Sequence, residues 1–263
     1  THALIEDPVQ FKNLQLAIID EQHRFGIAQR SALRQKGENP HLLVMSATPI
    51  PRSLALTLFG DLDISVIDEM PIGRKPVETR IVHPFAREKA YNLINQEMEA
   101  GHQAFIVYPL IEKGDNEHQK AAVDEHAYLQ KEVFSNLKLG LLHGKMPADQ
   151  KEKVMQDFRT RKFDILVSTT VIEVGVDIPN ATVMLIEGAN RFGLAQLHQL
   201  RGRVGRGGDT AYCLLIPETE DSLENERLAV MVDTTDGFVL AEKDLEQRGP
   251  GDFIGYRQSG YAD

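Results

Sequence analysis

One stretch organises the chain, Gln196-Leu-His-Gln-Leu-Arg-Gly-Arg-Val-Gly-Arg206. Wound as a helix, it would place Gln199, Arg203 and Arg206 on one face, because they are spaced i, i+4 and i+7. The opposite face would carry three apolar side chains that we expect to be buried, Leu197, Leu200 and Val204. Two guanidiniums on one rigid element suit a transferring phosphate group, whose oxygens they match. The alternative is a solvated, arginine-rich helix face.

Two glycines interrupt this stretch and lower its helix propensity. Gly202 and Gly205 each cost roughly 1 kcal/mol relative to alanine. Each glycine therefore needs a reason, either in packing or in the close approach of a ligand.

The composition is that of a globular protein without a membrane segment. The 263 residues suffice for one large domain or two modest ones, and 42% of them are hydrophobic. No run approaches the roughly 18 apolar residues of a membrane span, and no signal-peptide pattern is present. The single cysteine, Cys213, excludes an intrachain disulfide and lies in an apolar run, so we expect a buried strand residue and a reducing cytoplasm. The nine histidines show no metal-ligand spacing.

The net charge of −10 limits how this chain can bind nucleic acid. A protein that binds nucleic acid regardless of sequence is expected to be basic, at least locally. Either the basic residues are concentrated on one face, or another part of the molecule supplies most of the phosphate contacts.

Strands and helices alternate along the chain, with one interruption. Before residue 70 we predict strands at 14–19, 42–45 and 62–67 and helices at 25–36 and 51–59. Residues 70–76 contain two prolines and one glycine, which is typical of a linker or hinge. After it we predict strands at 78–82, 104–108, 139–142, 163–167, 181–186 and 212–216, with helices at 86–100, 119–135 and 147–159 between them.

This alternation predicts an α/β fold with two parallel sheets. The first sheet would belong to a domain of residues 1–70 and the second to a domain of residues 71–217. Residues 218–263 would form a helical hairpin, with helices at 221–232 and 239–247, and a glycine-rich loop after it.

Polar residues follow the first two strands. Asp20-Glu-Gln-His23 ends the first strand and Ser46-Ala-Thr-Pro49 ends the second. The carboxyl ends of strands are where open α/β sheets bind ligands. One carboxylate can hold Mg²⁺ while the next orients or deprotonates a water, and the hydroxyls can bond to the neighbouring strand. The alternative is ordinary turn chemistry in a solvated connection.

Four segments resemble, in order, motifs of the superfamily 2 helicases, whose motors have two RecA-like lobes. The segments are 20–23 for motif II, 46–48 for motif III, 168–177 for motif V and 199–206 for motif VI. Residues 237–260 resemble the helical hairpin and loop of the fork-remodelling helicases and of the transcription-repair coupling factors. The spellings Arg-Gly-Pro-Gly and Tyr-Arg-Gln-Ser-Gly favour the fork-remodelling branch. The resemblance covers essentially the whole chain and implies a partial lobe 1, a complete lobe 2 and the hairpin.

The resemblance implies a nucleotide site that takes ATP and Mg²⁺. Asp20 would bind Mg²⁺ through water, Glu21 would activate the hydrolytic water, and Arg203 and Arg206 would be the arginine fingers. The second lobe would line the cleft with Gly175, Asp177 and Gln199. The residues that couple the site to the other lobe and to DNA would be Gln22, His23, Ser46 and Thr48.

The resemblance also implies contacts with forked or branched DNA. The DNA backbone would be touched by His143, Gly144 and Thr169. Lobe closure would become movement along duplex DNA through Arg248, Arg257 and Gln258.

One departure from the family pattern is large. An ATPase of this class needs a phosphate loop, Gly-x-x-x-x-Gly-Lys-Ser/Thr, and the chain has none. Residues 140–146 imitate it, but the glycines are one residue too close and Met146 replaces the hydroxyl. We therefore expect the C-terminal portion of a larger helicase, with an N-terminal wedge domain and the phosphate-loop half of lobe 1 upstream. The alternatives are the same region of a transcription-repair coupling factor or a degenerate interaction module that does not hydrolyse ATP.

Overall fold

The structure is a computed structural model that describes residues 2–21, 27–47, 63–67, 69–70, 73–109, 115–169 and 177–248. Its first sheet has two parallel strands, β1 (Leu16–Ile19) and β2 (His41–Val44), with helix α1 (Ile27–Arg34) between them in sequence. Ala17 and Ile19 pack against Leu33 of α1 on one face of this sheet. The other face is largely open within the described residues, since Leu16 and Ile18 are 52% and 56% exposed.

The second sheet has six strands, and every neighbouring pair is parallel. In chain order the strands are β3 (Glu78–Ile81), β4 (Gln103–Val107), β5 (Leu139–Leu142), β6 (Ile165–Ser168), β7 (Ala181–Glu187) and β8 (Tyr212–Ile216). Their order across the sheet is β3-β8-β7-β4-β6-β5. The helices that alternate with them are α2 (Arg87–Glu99), α3 (Asp115–Tyr128), α4 (Ala148–Arg159) and α5 (Leu194–Arg201).

Both faces of the six-stranded sheet are covered, as the uninterrupted apolar runs require. Every residue of β4, β6 and β7 is buried. On one face Phe105 meets Phe158 of α4 edge to face, with the ring centroids 5.0 Å apart. On the other face Ile94 of α2 and Phe134 fill the layer under the helices. Cys213 is fully buried in β8, as predicted.

The chain continues into two helices, α6 (Glu226–Asp233) and α7 (Gly237–Arg248), which contact each other and α5. Side chains cap both helices. Asn225 accepts a hydrogen bond from the main-chain N–H of Arg227, and Asp236 accepts one from Phe238. The predicted helical hairpin is therefore confirmed. None of the helices in the described part of the chain is long and apolar enough to span a bilayer.

The predicted α/β class with parallel sheets is confirmed, and three predicted elements need correction. Residues 63–67 form no strand, and the side chains of Ile64 and Ile67 are exposed there. Helix α3 begins at Asp115, earlier than predicted, and ends in a single π-helical turn, Leu129–Val133. The predicted helix 51–59 lies outside the described residues.

The third correction concerns the arginine stretch, which is not one helix. Helix α5 ends at Arg201, and Gly202 is its C-cap. Gly205 has φ +71°, in the left-handed region that a right-handed helix cannot use. Arg203 and Arg206 therefore lie in a turn after the helix and do not share a helical face with Gln199. The apolar side chains Leu197, Leu200 and Val204 are buried, as predicted.

Candidate nucleotide site and nucleic-acid interface

The carboxyl end of the first sheet presents two consecutive carboxylates. The main-chain N–H of Glu21 donates to Oδ1 of Asp20 over 2.8 Å, which fixes the Asp20 side chain beside the end of β1. Glu21 is 8% exposed and has φ +51°, a conformation that costs energy for any residue with a Cβ. Backbone strain of this kind is concentrated at functional sites.

Ser46 lies at the same edge as these carboxylates. Ile19 is paired with Val44, and the N–H of Met45 donates to the Ile19 carbonyl over 2.8 Å. The parallel register thus carries Ser46 alongside Glu21, as the sequence predicts. Gln22, His23 and Thr48 lie outside the described residues.

The arginine turn lies at the amino end of the second sheet. The N–H of Gly205 donates to the carbonyl of Ala181, the first residue of β7, over 3.3 Å. A Cβ at Gly205 would lie 3.1 Å from the Cβ of Ala211, and its positive φ also disfavours a side chain. This close approach supplies the packing reason that the sequence required for Gly205. Gly202 ends α5 with φ −67°, and a Cβ there would lie 3.4 Å from the Gln199 carbonyl oxygen, an ordinary contact, so the structure shows no such reason for Gly202.

Arg206 is held by two hydrogen bonds. Its Nε donates to the Gly202 carbonyl over 3.1 Å, and its Nη1 donates to Oδ1 of Asp177 over 3.2 Å. Asp177 lies four residues before β7 and is well exposed. Asp177 and Arg206, both predicted to belong to the nucleotide site, are therefore in contact, and their role there stays a prediction. Gly175 lies outside the described residues.

Charged groups from both sheets act on the guanidinium of Arg203. Burial lowers the pKa of its guanidinium, and the positive charge of Arg206 lowers it further. The carboxylates of Glu21 and Asp177 act in the opposite direction. Glu21 follows a strand of the first sheet and Arg203 lies in the turn beside the second, so the charge of Glu21 acts from one sheet on the other.

Arg74 belongs to this cluster, and the sequence reasoning missed it. Its Nη2 donates to the Gly202 carbonyl over 3.2 Å. Burial and the charge of Arg206 lower its pKa, while Asp177 opposes them. The segment 70–76 was interpreted only as a hinge, because its prolines and glycine dominate the pattern. The signal was a basic pair, Arg74-Lys75, inside that hinge.

Arg201 and His198 lie on the other side of α5. The Nη1 atom of Arg201 donates to the carbonyls of Met231 and Thr234 over 2.8 and 2.9 Å, at the end of α6. Its Nη2 lies 3.1 Å from Nδ1 of His198. Arg201 is 3% exposed and joins α5 to the hairpin. Gln199 is half-buried in the last turn of α5.

The residues predicted to touch DNA lie at the opposite end of the second sheet. His143 and Gly144 follow β5, and Thr169 follows the neighbouring strand β6. The N–H of Thr169 donates to the Leu142 carbonyl over 3.3 Å, so the two turns lie side by side. Burial, then Lys151 and Lys145, lower the pKa of His143, which shows that both lysines are near it. These lysines were not in the prediction.

The tail residues are only partly described. Arg248 is the last residue of α7, and its side chain lies outside the described part, as do Arg257 and Gln258.

The carboxylates at β1 suit Mg²⁺ in the way this class of site requires. Mg²⁺ in nucleotide sites is held by one or two carboxylates together with waters and substrate phosphates. Asp20 is exposed beside β1 and so offers one such carboxylate. The described residues contain no cluster of three or more His, Cys, Asp or Glu side chains suited to a metal.

Comparisons with known proteins find helicases as the similar proteins. The sequence profile of the helicase conserved C-terminal domain matches residues 86–208. The ATP-dependent DNA helicase RecG of Thermotoga maritima is 57% identical over 99% of this chain, and that of Synechocystis is 54% identical over 100% of it. The chain spans about a third of the length of these relatives, 33% and 32%.

Two solved structures support the fold. A structure of RecG bound to a three-way DNA junction is 55% identical, with a TM-score of 0.79 over 96% of this chain and 32% of that chain. Dbp5 of S. cerevisiae bound to RNA and ADP BeF3 is 15% identical, with a TM-score of 0.60 over 90% of this chain and 61% of that chain, which is a likeness of fold alone. Residues 86–208 of the chain therefore match the helicase conserved C-terminal domain, and over nearly its whole length the chain is similar to RecG, of which it spans about a third.

Proposed function

We propose that this chain is the C-terminal motor portion of an ATP-dependent DNA helicase that remodels stalled forks and other branched DNA. The observation that supports this most directly is that the charge of Glu21, at the end of β1, acts on the pKa of Arg203, in the turn after α5. A carboxylate suited to orient water and a guanidinium suited to stabilise phosphate charge thus lie within electrostatic reach of each other, although they belong to different sheets.

The chemistry would be divided between the two sheets. Asp20 would hold Mg²⁺ through water, and Glu21 would orient and deprotonate the attacking water. Arg203 and Arg206 would stabilise the charge that spreads over the oxygens of the transferred phosphoryl group. Because Arg206 is paired with Asp177, it would have to exchange this carboxylate for the phosphate when ATP binds.

Closure of the cleft would be linked to this exchange. Clamping of ATP by the arginines would draw residues 71–217 toward residues 1–70, and hydrolysis would release them. Residues 218–263 would transmit the movement to duplex DNA, since α6 and α7 pack against the arginine-bearing helix α5. Domain limits at 70 and 217 are part of this proposal.

The DNA partner is proposed from the relative and from the carboxyl end of the second sheet. RecG has been solved bound to a three-way DNA junction. In this chain His143, Gly144 and Thr169 come together there, with Lys145 and Lys151 beside them. Lysines and main-chain N–H groups at such turns suit phosphate contacts that do not depend on sequence.

The test is Arg203→Ala in the intact protein that contains this chain. We expect ATP turnover to fall by roughly 10³-fold, as for loss of an arginine finger, while DNA affinity stays within about twofold. Turnover is measured by phosphate release and DNA affinity by fluorescence anisotropy of a labelled three-way junction.

Arg80→Ala is the matched control. Arg80 lies on the edge strand β3, is 55% exposed and pairs with Glu78. It should leave turnover unchanged. If Arg203→Ala retained turnover within tenfold of the unmodified protein, the finger assignment would be wrong. An equal loss in Arg80→Ala would point to a general effect of removing positive charge.

A further inference from the structure

The hinge segment contributes a third guanidinium to the arginine cluster. Arg74 and Arg206 donate to one and the same acceptor, the Gly202 carbonyl, over 3.2 and 3.1 Å. Their guanidiniums are therefore neighbours, although they are more than a hundred residues apart in sequence. Two like charges so close repel each other. The negative end of the α5 dipole, at Gly202, offsets part of that repulsion.

Positive charge exceeds negative charge in this cluster. Three guanidiniums are present, from Arg74, Arg203 and Arg206, and each of the first two is disfavoured by the charge of Arg206. The carboxylates that act on them are Asp177 and, for Arg203, Glu21. Asp177 is 61% exposed, so water screens much of its effect. Three guanidiniums against two carboxylates leave an excess of one positive charge, which an anionic ligand would balance.

Arg74 has donor capacity left after its bond to Gly202. Its Nε is buried and has no hydrogen-bond partner among the described residues. Guanidinium presents five donors in a planar fork that matches phosphate oxygens in pairs. If Arg74 served only to bind the Gly202 carbonyl, most of these five donors would stay unused.

We propose that Arg74 is a third phosphate-binding guanidinium, which contacts the terminal phosphates of a nucleoside triphosphate together with Arg203 and Arg206. This inference rests on the proposed function, since it assigns a further residue to the same nucleotide site. Arg74 belongs to the segment that joins the two sheets. Its contact would therefore tie the conformation of that segment directly to the number of phosphates in the cleft.

The experiment measures nucleotide affinity in the intact protein that contains this chain. Arg74→Gln should weaken binding of a non-hydrolysable ATP analogue about tenfold, the loss expected for one charge-assisted hydrogen bond. Binding of AMP should not change, because AMP lacks the terminal phosphates. Arg74→Lys keeps the charge and should lose less. Arg80→Gln is the control that removes an exposed arginine nearby.

A double-mutant cycle separates phosphate binding from bracing. If Arg74 contacts phosphate itself, Arg74→Gln should still cost about tenfold when Arg206 is already alanine. If Arg74 only positions Arg206 through Gly202, the second substitution should cost nothing further, which would overturn the inference. An affinity for the ATP analogue within twofold of that of Arg80→Gln would also overturn it. So would a greater loss in Arg74→Lys than in Arg74→Gln.

The inference and the proposed function fail in different ways. Normal affinity in Arg74→Gln, together with the expected loss of turnover in Arg203→Ala, would overturn only the role of Arg74. Retained turnover in Arg203→Ala would instead remove the proposed function, whatever Arg74 does.

Discussion

Two arginines that are two residues apart, Arg201 and Arg203, lie in opposite surroundings. Arg201 faces the helical hairpin, where its guanidinium donates to main-chain carbonyls at the end of α6. The charged groups that act on the pKa of Arg203 are another arginine and two carboxylates, one of which is Glu21 at the end of β1. Both are substantially buried. The difference lies in their partners, since one is satisfied by the fold and the other shares its surroundings with like charge.

This contrast distinguishes a structural arginine from a ligand-binding one without reference to sequence motifs. Burying a guanidinium is costly unless its donors are used. At Arg201 the donors are used within the folded chain, so its removal should affect stability first. Arg203 lies near a second guanidinium, that of Arg206, and the two together suit phosphate oxygens, so removal of Arg203 should affect chemistry first.

The largest expected effect on stability comes from Arg201→Met, which keeps much of the side-chain volume. It leaves the Met231 and Thr234 carbonyls without their charged donor, and we expect the free energy of unfolding to fall by about 3 kcal/mol. Denaturant unfolding followed by circular dichroism measures this. ATP turnover per folded molecule should fall far less than in Arg203→Ala. If Arg201→Met lost as much turnover as Arg203→Ala while its stability stayed unchanged, the contrast between the two arginines would be wrong.

An intermediate effect is expected from pH, through the neighbour of Arg201. Burial lowers the pKa of His198 from an ordinary 6.5 to about 4. The charge of Arg201 acts in the same direction, and that of Asp236 acts in the opposite direction. Between these two pH values the unfolded chain binds more protons than the folded one, so stability is lost as the pH falls. We expect His198 to contribute a loss of about 2 kcal/mol over that range. Well above pH 6.5 the imidazole of His198 is neutral in both the folded and the unfolded chain, so its titration no longer changes the stability.

The control for that prediction is His198→Gln, which cannot titrate. The urea midpoint of the unmodified protein should fall more steeply between pH 6.5 and pH 4 than that of the variant. Parallel curves would mean that His198 titrates normally and that this side of α5 is more hydrated than the structure indicates.

The smallest effect is expected at the other end of the sheet, where the cations are lysines. Lys145 is exposed and Lys151 half-buried, beside the turns that end β5 and β6. Replacing both by alanine should weaken DNA binding about tenfold at low salt, and reduce the slope of log affinity against log salt by about 2. ATP affinity without DNA should not change. Lys131→Ala, at an exposed position bonded to Glu132, is the control. A salt slope equal to that of the control would remove these lysines from the DNA interface.

The sheets and the location of the site could be predicted from the sequence because the signals are local. Apolar runs such as 139–142 and 212–216 became strands with those same limits. The carboxylates after β1 and the hydroxyl of Ser46 came together because parallel strands end at one edge. The arginines were found from their family motif, and in the structure the charge of Glu21 acts on one of them, Arg203.

What the sequence did not show depends on contacts between distant segments. The end of α5 was predicted too late, because helical spacing was followed through Gly205 and its positive φ depends on Ala181 and Ala211. Arg74 was overlooked because its acceptor lies 128 residues away. Nothing in the local pattern separates Arg201 from Arg203, since only the position of α6 decides which of them is buried among carbonyls.

The arginine turn and the lysine-flanked turns lie at opposite ends of one sheet, and this has a mechanical consequence. Strand β7 has seven residues, so about 20 Å of parallel backbone separates the two ends. Within the described residues, mainly buried apolar side chains fill that distance. Because rigid packed elements can carry coupling between distant sites, an event at one end would reach the other through movement of the sheet as a unit. The packed core would therefore transmit the movement from one end of the sheet to the other, and tighter packing would reduce the part of the movement that is lost to bending.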